Sequence, residues 1–269
     1  MKAAIYQMKN QSLQIFDESL GIDLYSEFST IEESQDKLFS GYYLNEVPHG
    51  PFCTYSEEKK ILSESWFFEG QRQGKAVLYY LNGKTYANLC YFNNHLHSSQ
   101  EYFFDNGFKK TELFYRHGKL EGPCTLYHAN GKVFRKMNYK DNHRIGLEEQ
   151  FFPNGMKSIE KYFDEKGRIV KERFWNARGV LQWEKEHIEA LCYNSKKFYP
   201  TGALKLQGKH SEGKTYEYRE WALEGKLTKC FSGFFDGEDV FIQKIIKGTK
   251  GDHMRLASQK DKTLLFQQN

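Results

Sequence analysis

Large apolar rings recur along this chain with a fixed spacing of twelve residues. The positions in phase are Tyr43, Tyr55, Phe67, Tyr79, Tyr91, Phe103, Tyr115, Tyr127, Tyr139, Phe151, Phe163, Trp175, His187 and Tyr199. Thirteen of these fourteen positions are aromatic, whereas aromatic residues make up 16% of the whole chain. A period of this kind indicates a repeat architecture, in which each unit packs mainly on its neighbours.

A second period, of twenty-four residues, marks the turns. Asn-Gly pairs stand at Asn82-Gly83, Asn106-Gly107, Asn130-Gly131 and Asn154-Gly155, followed by Gly179, Gly202 and Gly225. Because Asn-Gly is preferred in two-residue hairpin turns, where both residues take φ > 0, tight turns are expected there. Looser turns are expected between them, at Gly70/Gly74, Asn94/Ser98, Gly118/Gly122 and Asn142/Gly146. Each unit is therefore predicted to be a β-hairpin.

Alternation within the segments supports strands, because Lys109, Thr111, Leu113 and Tyr115 fall on one face. The predicted fold is all-β, an elongated single-layer antiparallel meander of about fourteen strands. Residues 1–36 are expected to form an N-terminal cap, 37–225 the repeat array, and 226–269 a C-terminal cap and tail. Within the caps, we expect a strand at 13–16, helical spacing at 22–33, and a strand pair plus a short helix at 231–246.

Two stretches carry a resemblance to a known family: Gly41-Tyr42-Tyr43 with His49-Gly50-Pro51-Phe52, and Tyr115 to Pro123 with Tyr127 and Asn130-Gly131-Lys132. They resemble the MORN repeat, and the twenty-four-residue spacing is similar to a variant form found in bacterial, antitoxin-like proteins. The resemblance covers roughly residues 37–225. It implies a β-hairpin repeat fold and a role as a scaffold, a dimerisation module, a lipid-binding surface, or an accessory to an attached catalytic domain.

Composition narrows the classes of partner and location. The 39 basic and 35 acidic residues leave a net charge of +4, so no nucleic-acid partner is expected. The five cysteines form no C-x-x-C pair, which favours a reducing, cytoplasmic environment. The first nine residues hold too short an apolar run for a secretory signal peptide. Export without a cleaved signal peptide stays open.

One segment matches a nucleotide-binding motif, since Gly208 to Thr215 reads G-x-x-x-x-G-K-T. A phosphate-binding loop needs a buried strand before it and a helix after it. Residues 203–207 make a poor buried strand, so the inner turn of a hairpin is favoured and a nucleotide-binding enzyme is a distant alternative.

Histidines offer a second candidate chemistry. His95 and His97 would need His117 or His143 nearby to hold zinc, and a solvated turn is favoured instead. We therefore expect no catalytic residues, no metal, no cofactor and no enzymatic activity.

The residues that flank the ladder rings are expected to share the opposite face of the sheet, and from about 64 to 128 they are apolar. The predicted partner-binding residues among them are Trp66, Phe68, Tyr80, Phe92, Tyr102, Phe104 and Phe114. Either the protein itself or a partner, such as a second copy, must cover them, because large apolar patches are rarely exposed.

The favoured function is thus a non-catalytic protein-interaction module. The alternative is peripheral binding of anionic lipid through basic residues at Lys132, Arg135, Lys136, Lys140, Arg144, Lys166, Arg168, Lys171, Arg173 and Arg178.

Overall fold

A computed structural model describes the backbone of residues 5–9, 12–17, 22–27, 31–35, 38–44, 46–189, 192–211, 214–236, 239–244 and 253–256. Side chains are described within 38–44, 46–189, 192–211 and 217–230. Every helical or extended element in these segments is a strand, so the all-β prediction is confirmed. These segments contain no helix of the length and apolar character needed to cross a membrane. The chain divides into two compact units, residues 1–144 and 145–269.

Sixteen strands lie in the first unit. They are β1 (Ile5–Lys9), β2 (Ser12–Asp17), β3 (Ile22–Glu27), β4 (Ile31–Gln35), β5 (Phe39–Leu44), β6 (Val47–Tyr55), β7 (Ile61–Phe68), β8 (Gln71–Arg72), β9 (Gly74–Tyr79), β10 (Thr85–Phe92), β11 (His95–Leu96), β12 (Ser98–Phe103), β13 (Lys109–Arg116), β14 (Lys119–Leu120), β15 (Gly122–Tyr127) and β16 (Val133–Lys140).

Strand β17 (His143–Phe151) begins at the end of the first unit, and the remaining strands lie in the second. They are β18 (Lys157–Phe163), β19 (Ile169–Trp175), β20 (Leu181–Glu189), β21 (Cys192–Phe198), β22 (Leu204–Ser211), β23 (Lys214–Trp221), β24 (Leu227–Asp236), β25 (Asp239–Lys244) and β26 (His253–Leu256).

Within each unit, successive strands pair antiparallel, as a meander of hairpins requires. The strands outnumber the fourteen expected, partly because irregular pairing separates the two-residue strands β8, β11 and β14 from the longer strands that follow them.

The capping segments differ from the sequence-based expectation. The strand expected at residues 13–16 is present within β2, and β1, β2 and β3 form a three-stranded sheet. The helix expected at 22–33 is wrong, because β3 and β4 occupy that stretch and β4 pairs with β5. Single-sequence spacing cannot separate a short helix from two short strands when the apolar residues are few. The strand pair expected after 231 is present as β24 and β25. A short helix was also expected within 231–246, and the last two residues of that stretch, 245–246, lie outside the described residues.

The Asn-Gly turns have a different geometry from the one predicted. At the first of them, Gly83 N donates to Tyr80 O at 2.9 Å and Tyr80 N donates to Lys84 O at 2.8 Å. Only Gly83 takes a positive φ, of 79°, and Asn82 does not. The loop is therefore a three-residue type I turn that ends in a left-handed glycine, not a two-residue turn. Asn82 Oδ1 accepts from Lys84 N at 3.0 Å, which fixes the asparagine in this conformation.

The same arrangement recurs at the other turns of this kind, which we call the outer turns. The N–H of the left-handed glycine donates to the carbonyl three residues earlier at Gly107, Gly131, Gly155, Gly179, Gly202 and Gly225. The sequence period therefore located these turns correctly, although the turn type assigned to them was wrong. Gly167 makes the same hydrogen bond in the turn between β18 and β19, which the period of these glycines did not predict.

The tight two-residue turns lie where looser turns were expected, and we call these the inner turns. Phe68 stands opposite Gln71, and the two residues between them, Glu69 and Gly70, have φ of 47° and 76°. Both residues are left-handed, as a type I′ turn demands. The equivalent pairs are Asn93-Asn94, His117-Gly118 and Asp141-Asn142. The sequence had marked each of these turns by two residues four positions apart. The later residue of each of those pairs also takes a positive φ, at Gly74, Ser98, Gly122 and Gly146.

Neighbouring inner turns of the first unit are joined by hydrogen bonds that repeat every twenty-four residues. The backbone bonds are Gly70 N to Pro48 O, Asn94 N to Arg72 O, Gly118 N to Leu96 O and Asn142 N to Leu120 O, all between 2.8 and 3.1 Å. A side-chain acceptor adds a second bond, in the pairs His49 with Glu69 N, Gln73 with Asn93 N, His97 with His117 N and Glu121 with Asp141 N. These bonds recur with the same twenty-four-residue period as the turns in the sequence.

The aromatic ladder does not run along one face. Leu126 stands opposite Thr111, so its neighbour Tyr127 lies on the other face from Thr111 and from Tyr115. In the described hairpins from β5 to β16, and from β17 to β20, the numbers of two paired residues sum to an odd total, so a step of twelve residues across one hairpin changes the face. Successive ladder rings therefore alternate from Tyr43 to Tyr139 and from Phe151 to His187. His187 and Tyr199 share a face, because the β20–β21 register has an even total. The predicted face assignment, which assumed that turns preserve parity, is wrong.

The core of the first unit lies on the face that carries Ala76, Ala87, Leu89, Gln100 and Leu113, which we call the core face. Ala87 is fully buried, and Ala76 and Leu89 are 5% and 7% exposed. The partly buried side chains that pack against these three are Leu78, Tyr86, Tyr91, Leu96 and Tyr102. Small residues in the centre thus let the flanking rings close over them.

Candidate functional site

The opposite face of the first unit carries a row of paired residues across five strands. Glu64, Val77, Asn88, Glu101 and Glu112 stand opposite one another in turn, from β7 to β13. We call this surface the carboxylate face. Because side chains alternate along a strand, residues two and four positions along from these share the same face.

Four of the seven predicted partner-binding residues lie on the carboxylate face. Trp66 and Phe68 follow Glu64 on β7, Phe92 follows Asn88 on β10, and Phe114 follows Glu112 on β13. Each is half-buried. These four rings, which we call the aromatic patch, lie at the end of the face nearest the inner turns.

The other three predicted partner-binding residues belong to the core face. Tyr80 contacts Tyr86 with ring centroids 5.2 Å apart, and Tyr86 contacts Tyr102 at 5.9 Å. Phe104 occupies the position of Tyr80 in the next repeat, where Lys110 Nζ lies 5.7 Å from its ring centre. The structure therefore separates Tyr80, Tyr102 and Phe104 from the aromatic patch.

Histidines of the inner turns border the aromatic patch. His49 lies 5.0 Å from Phe68, and His97 lies 5.9 Å from Phe92 and 4.9 Å from His117, all between ring centroids. Burial lowers the pKa of His49, so it is neutral and can accept the hydrogen bond from Glu69 N. His95 Nδ1 pairs with Asn93 O at 2.7 Å. The described residues hold no group of three or more histidine, cysteine or acidic side chains arranged to bind a metal.

Charged and hydroxyl groups continue the carboxylate face toward the outer turns. Lys109 Nζ lies 2.7 Å from Glu101 and 3.3 Å from Glu112, and the hydrogen bond from Lys109 lowers the pKa of Glu101. Tyr79 donates to Glu64 at 2.6 Å, and this hydrogen bond raises the Tyr79 pKa to about 12. The face therefore combines an apolar end with an ion-paired end.

The second unit carries a row of charges across neighbouring strands. Glu149, Glu160, Arg173, Glu184 and Lys196 stand opposite one another in turn. Lys157 lies 2.7 Å from Glu149 and 2.6 Å from Glu160, while Arg173 lies 3.1 Å from Glu160 and 2.7 Å from Glu184.

Several of the predicted lipid-binding cations are engaged in such pairs. Lys171 and Arg173 both contact Glu184, and Arg168 contacts Asp164 at 2.8 Å. A carboxylate within contact distance cancels much of the field that a cation would present to a membrane surface.

The segment that matches the nucleotide-binding motif belongs to a hairpin. Strands β22 and β23 pair antiparallel, with His210 opposite Thr215 and Ser211 opposite Lys214. The motif thus lies on two antiparallel strands and lacks the strand-to-helix geometry of a phosphate-binding loop. The sequence-based preference for a hairpin is confirmed.

One polar cluster of the second unit was missed by the sequence analysis. Ser195 Oγ lies 2.7 Å from His210 Nε2, and the His210 ring stacks on Tyr193 with centroids 4.3 Å apart. Lys185 Nζ lies 3.8 Å from the centre of the same tyrosine ring. Burial, with added repulsion from Lys185 and Lys197, lowers the His210 pKa to about 4. Only the register of β20, β21 and β22 brings these residues together, and no local motif signals it.

Comparison with known proteins supports the repeat assignment. Residues 120–141 match the family model for the MORN repeat variant, a range that covers strands β15 and β16 and the outer turn between them at Asn130-Gly131. A match to this family favours a repeat-built scaffold or binding module. The bacterial, antitoxin-like character of the repeat stays a prediction. No curated protein matches the chain.

Among solved structures, the chain is similar to a porin-like protein from Bacteroides uniformis at 8% sequence identity. The alignment covers 84% of this chain and 92% of that chain, with a TM-score of 0.17. A TM-score this low carries no argument about fold or function.

Proposed function

We propose that the chain is a non-catalytic, cytoplasmic interaction module that binds a protein partner through the aromatic patch on the carboxylate face. The observation that carries this proposal is the sorting of rings between the two faces. Tyr80, Tyr86 and Tyr102 are used in packing the core face, whereas Trp66, Phe68, Phe92 and Phe114 are not part of that cluster.

The composition of the carboxylate face suits a protein partner. Aromatic residues in a half-buried patch, bordered by ion-paired side chains, match the apolar centre and polar rim of protein interfaces. A second copy of the chain is one form that such a partner can take.

Adjacent residues on β10 provide a matched test, since Tyr91 belongs to the core face and Phe92 to the aromatic patch. The variant Phe92→Ser should keep the circular dichroism spectrum and lose self-association or a specific co-purifying protein. The variant Tyr91→Ser should instead lower the urea midpoint. Unchanged oligomeric state and unchanged partner recovery in a folded Phe92→Ser protein would contradict the proposal.

Anionic-lipid binding through the basic residues has weaker support, because Arg168, Lys171 and Arg173 are paired with carboxylates. Co-sedimentation with anionic vesicles at two salt concentrations checks this hypothesis, since headgroup binding should fade as the salt concentration rises.

A further inference from the structure

We propose that Lys185, Ser195 and His210, on one face of the second unit, form a binding site for a phosphate group. This site is separate from the proposed function, which rests on the first unit. The shared chemistry is a phosphate oxyanion, whether free or part of a lipid headgroup.

The register places the three side chains on neighbouring strands. Lys185 of β20 stands opposite Ser195 of β21, and Ser195 stands opposite Gly208 of β22, two residues before His210. The Gly208 position has no side chain, so the imidazole leans over it: a Cβ there would lie 3.1 Å from His210 Nε2. The imidazole is thus directed along the face toward the serine hydroxyl.

The donors that an oxyanion needs are present. Lys185 contacts the Tyr193 ring, and no carboxylate with a described side chain pairs with it. Ser195 shares a 2.7 Å hydrogen bond with His210, so an imidazole N–H directed at Oγ would leave the hydroxyl hydrogen to donate outward. An ammonium and a hydroxyl backed by an imidazole make a common set of phosphate donors.

The surrounding charges favour an anion. Groups facing His210 from packed strands are Glu172 of β19, Lys185 and His187 of β20, Tyr193 and Lys197 of β21, and Tyr218 and Glu220 of β23. Glu172 forms ion pairs with Lys161 at 3.0 Å and with His187 at 3.3 Å, and Glu220 forms one with Lys229 at 3.2 Å. Lys185 and Lys197 are therefore left to set a positive potential at the imidazole.

Coupling between proton and anion gives a distinctive readout. The positive charges of Lys185 and Lys197 help to keep His210 neutral. A bound anion should offset these charges and so favour the protonated form of His210. The pKa of His210, about 4 without ligand, should rise by about one to three units when an anion occupies the site. By reciprocity, the anion should bind more tightly as the pH falls toward that range.

The test titrates the histidine ring signals of the intact chain by NMR, with and without sulfate. Sulfate is the probe because it stays a dianion over this pH range, whereas a phosphate monoester changes its own charge near pH 6. His210 signals are assigned by their loss in His210→Asn. A raised His210 pKa and tighter sulfate binding at lower pH support the site. An unchanged His210 pKa at saturating sulfate overturns it.

Variants separate the site from general surface attraction. Lys185→Gln and Ser195→Ala should each weaken inorganic phosphate binding by about tenfold or more, as expected for loss of a hydrogen bond to a charged group. The matched control is Lys209→Gln, because Lys209 neighbours His210 but lies on the other face, 2.6 Å from Glu217. Equal losses in all three variants would overturn the proposal.

Two arms identify the source of the phosphate. In one arm the probe is inorganic phosphate, and in the other it is vesicles that contain phosphatidic acid. Binding in either arm that depends on Lys185 and Ser195 supports the site, and the stronger arm names the source. If neither probe binds, the proposal is overturned, even if Phe92→Ser still abolishes partner recovery.

Discussion

Replacing Gln100 with methionine should destabilise the protein, although it exchanges a polar side chain for an apolar one in a buried position. Gln100 is 0% exposed. Its Oε1 accepts from Cys90 N at 2.9 Å, and its Nε2 donates to His97 O at 2.8 Å and Cys90 O at 3.1 Å. Cys90 O also accepts from His97 N at 2.9 Å, so the groups that depend on Gln100 are Cys90 N and His97 O, beside the left-handed Ser98 with φ of 65°.

The expected magnitude comes from those backbone groups. Each buried group left without a partner costs about 1–3 kcal/mol. Methionine is similar in size to glutamine and gains apolar burial, which offsets part of this loss. With the Cys90 and His97 groups both affected, the net cost is about 2–4 kcal/mol.

Urea unfolding followed by circular dichroism measures this effect, with the slope compared to that of the wild type. The matched control is Leu113→Met, since Leu113 stands opposite Gln100 on the core face and needs no polar partner. The control should cost less than about 1.5 kcal/mol. A Gln100→Met protein as stable as the control would refute the assignment of Gln100 as the acceptor and donor for this turn.

Two further outcomes follow from the turns and the charges. Leu81→Pro should be neutral or stabilise by up to about 1 kcal/mol in urea unfolding, because Leu81 precedes Asn82 where a type I turn accepts proline. Pro153 and Pro200 already occupy this position in other outer turns. A loss above about 2 kcal/mol would favour a two-residue turn instead. Glu160→Gln should reduce the fall in urea midpoint between pH 7 and pH 3, and an unchanged fall would contradict this. Burial tends to raise the Glu160 pKa, but Lys157 and Arg173 lower it below its usual value. A lowered pKa gives stability that is present above the ordinary glutamate pKa and lost as the pH falls through the folded value.

Much of the fold could be predicted from the sequence, because turn positions and strand lengths are local properties. The twenty-four-residue spacing of Gly83, Gly107, Gly131 and Gly155 located the outer turns, since each of these glycines must take a positive φ. The turn type could not be derived from Asn-Gly alone. The same pair suits a two-residue turn and a type I turn followed by a left-handed glycine, and only the register decides between them.

Only part of the candidate site could be predicted, because the apolar character of a residue is local whereas the face that it occupies depends on register. Apolar character singled out Phe92 and Tyr102 alike, yet Phe92 lies on the carboxylate face and Tyr102 packs against the core cluster. Which face a ring takes depends on the pairing across each hairpin, and one unpaired residue in a turn reverses it. The Ser195 and His210 pair depends on three strands in register, which no local pattern encodes.

The alternation of ladder rings between the two faces rests on one feature, the register of the hairpins, and cross-linking tests it directly. In a Cys124→Ala background, cysteines replacing Thr111 and Leu126 stand directly opposite each other, within the range that a disulfide spans. Peptide mass mapping after mild oxidation should show this cross-link, and should show none between cysteines replacing Thr111 and Tyr127. A cross-link between 111 and 127, with none between 111 and 126, would place Tyr115 and Tyr127 on one face and contradict the account.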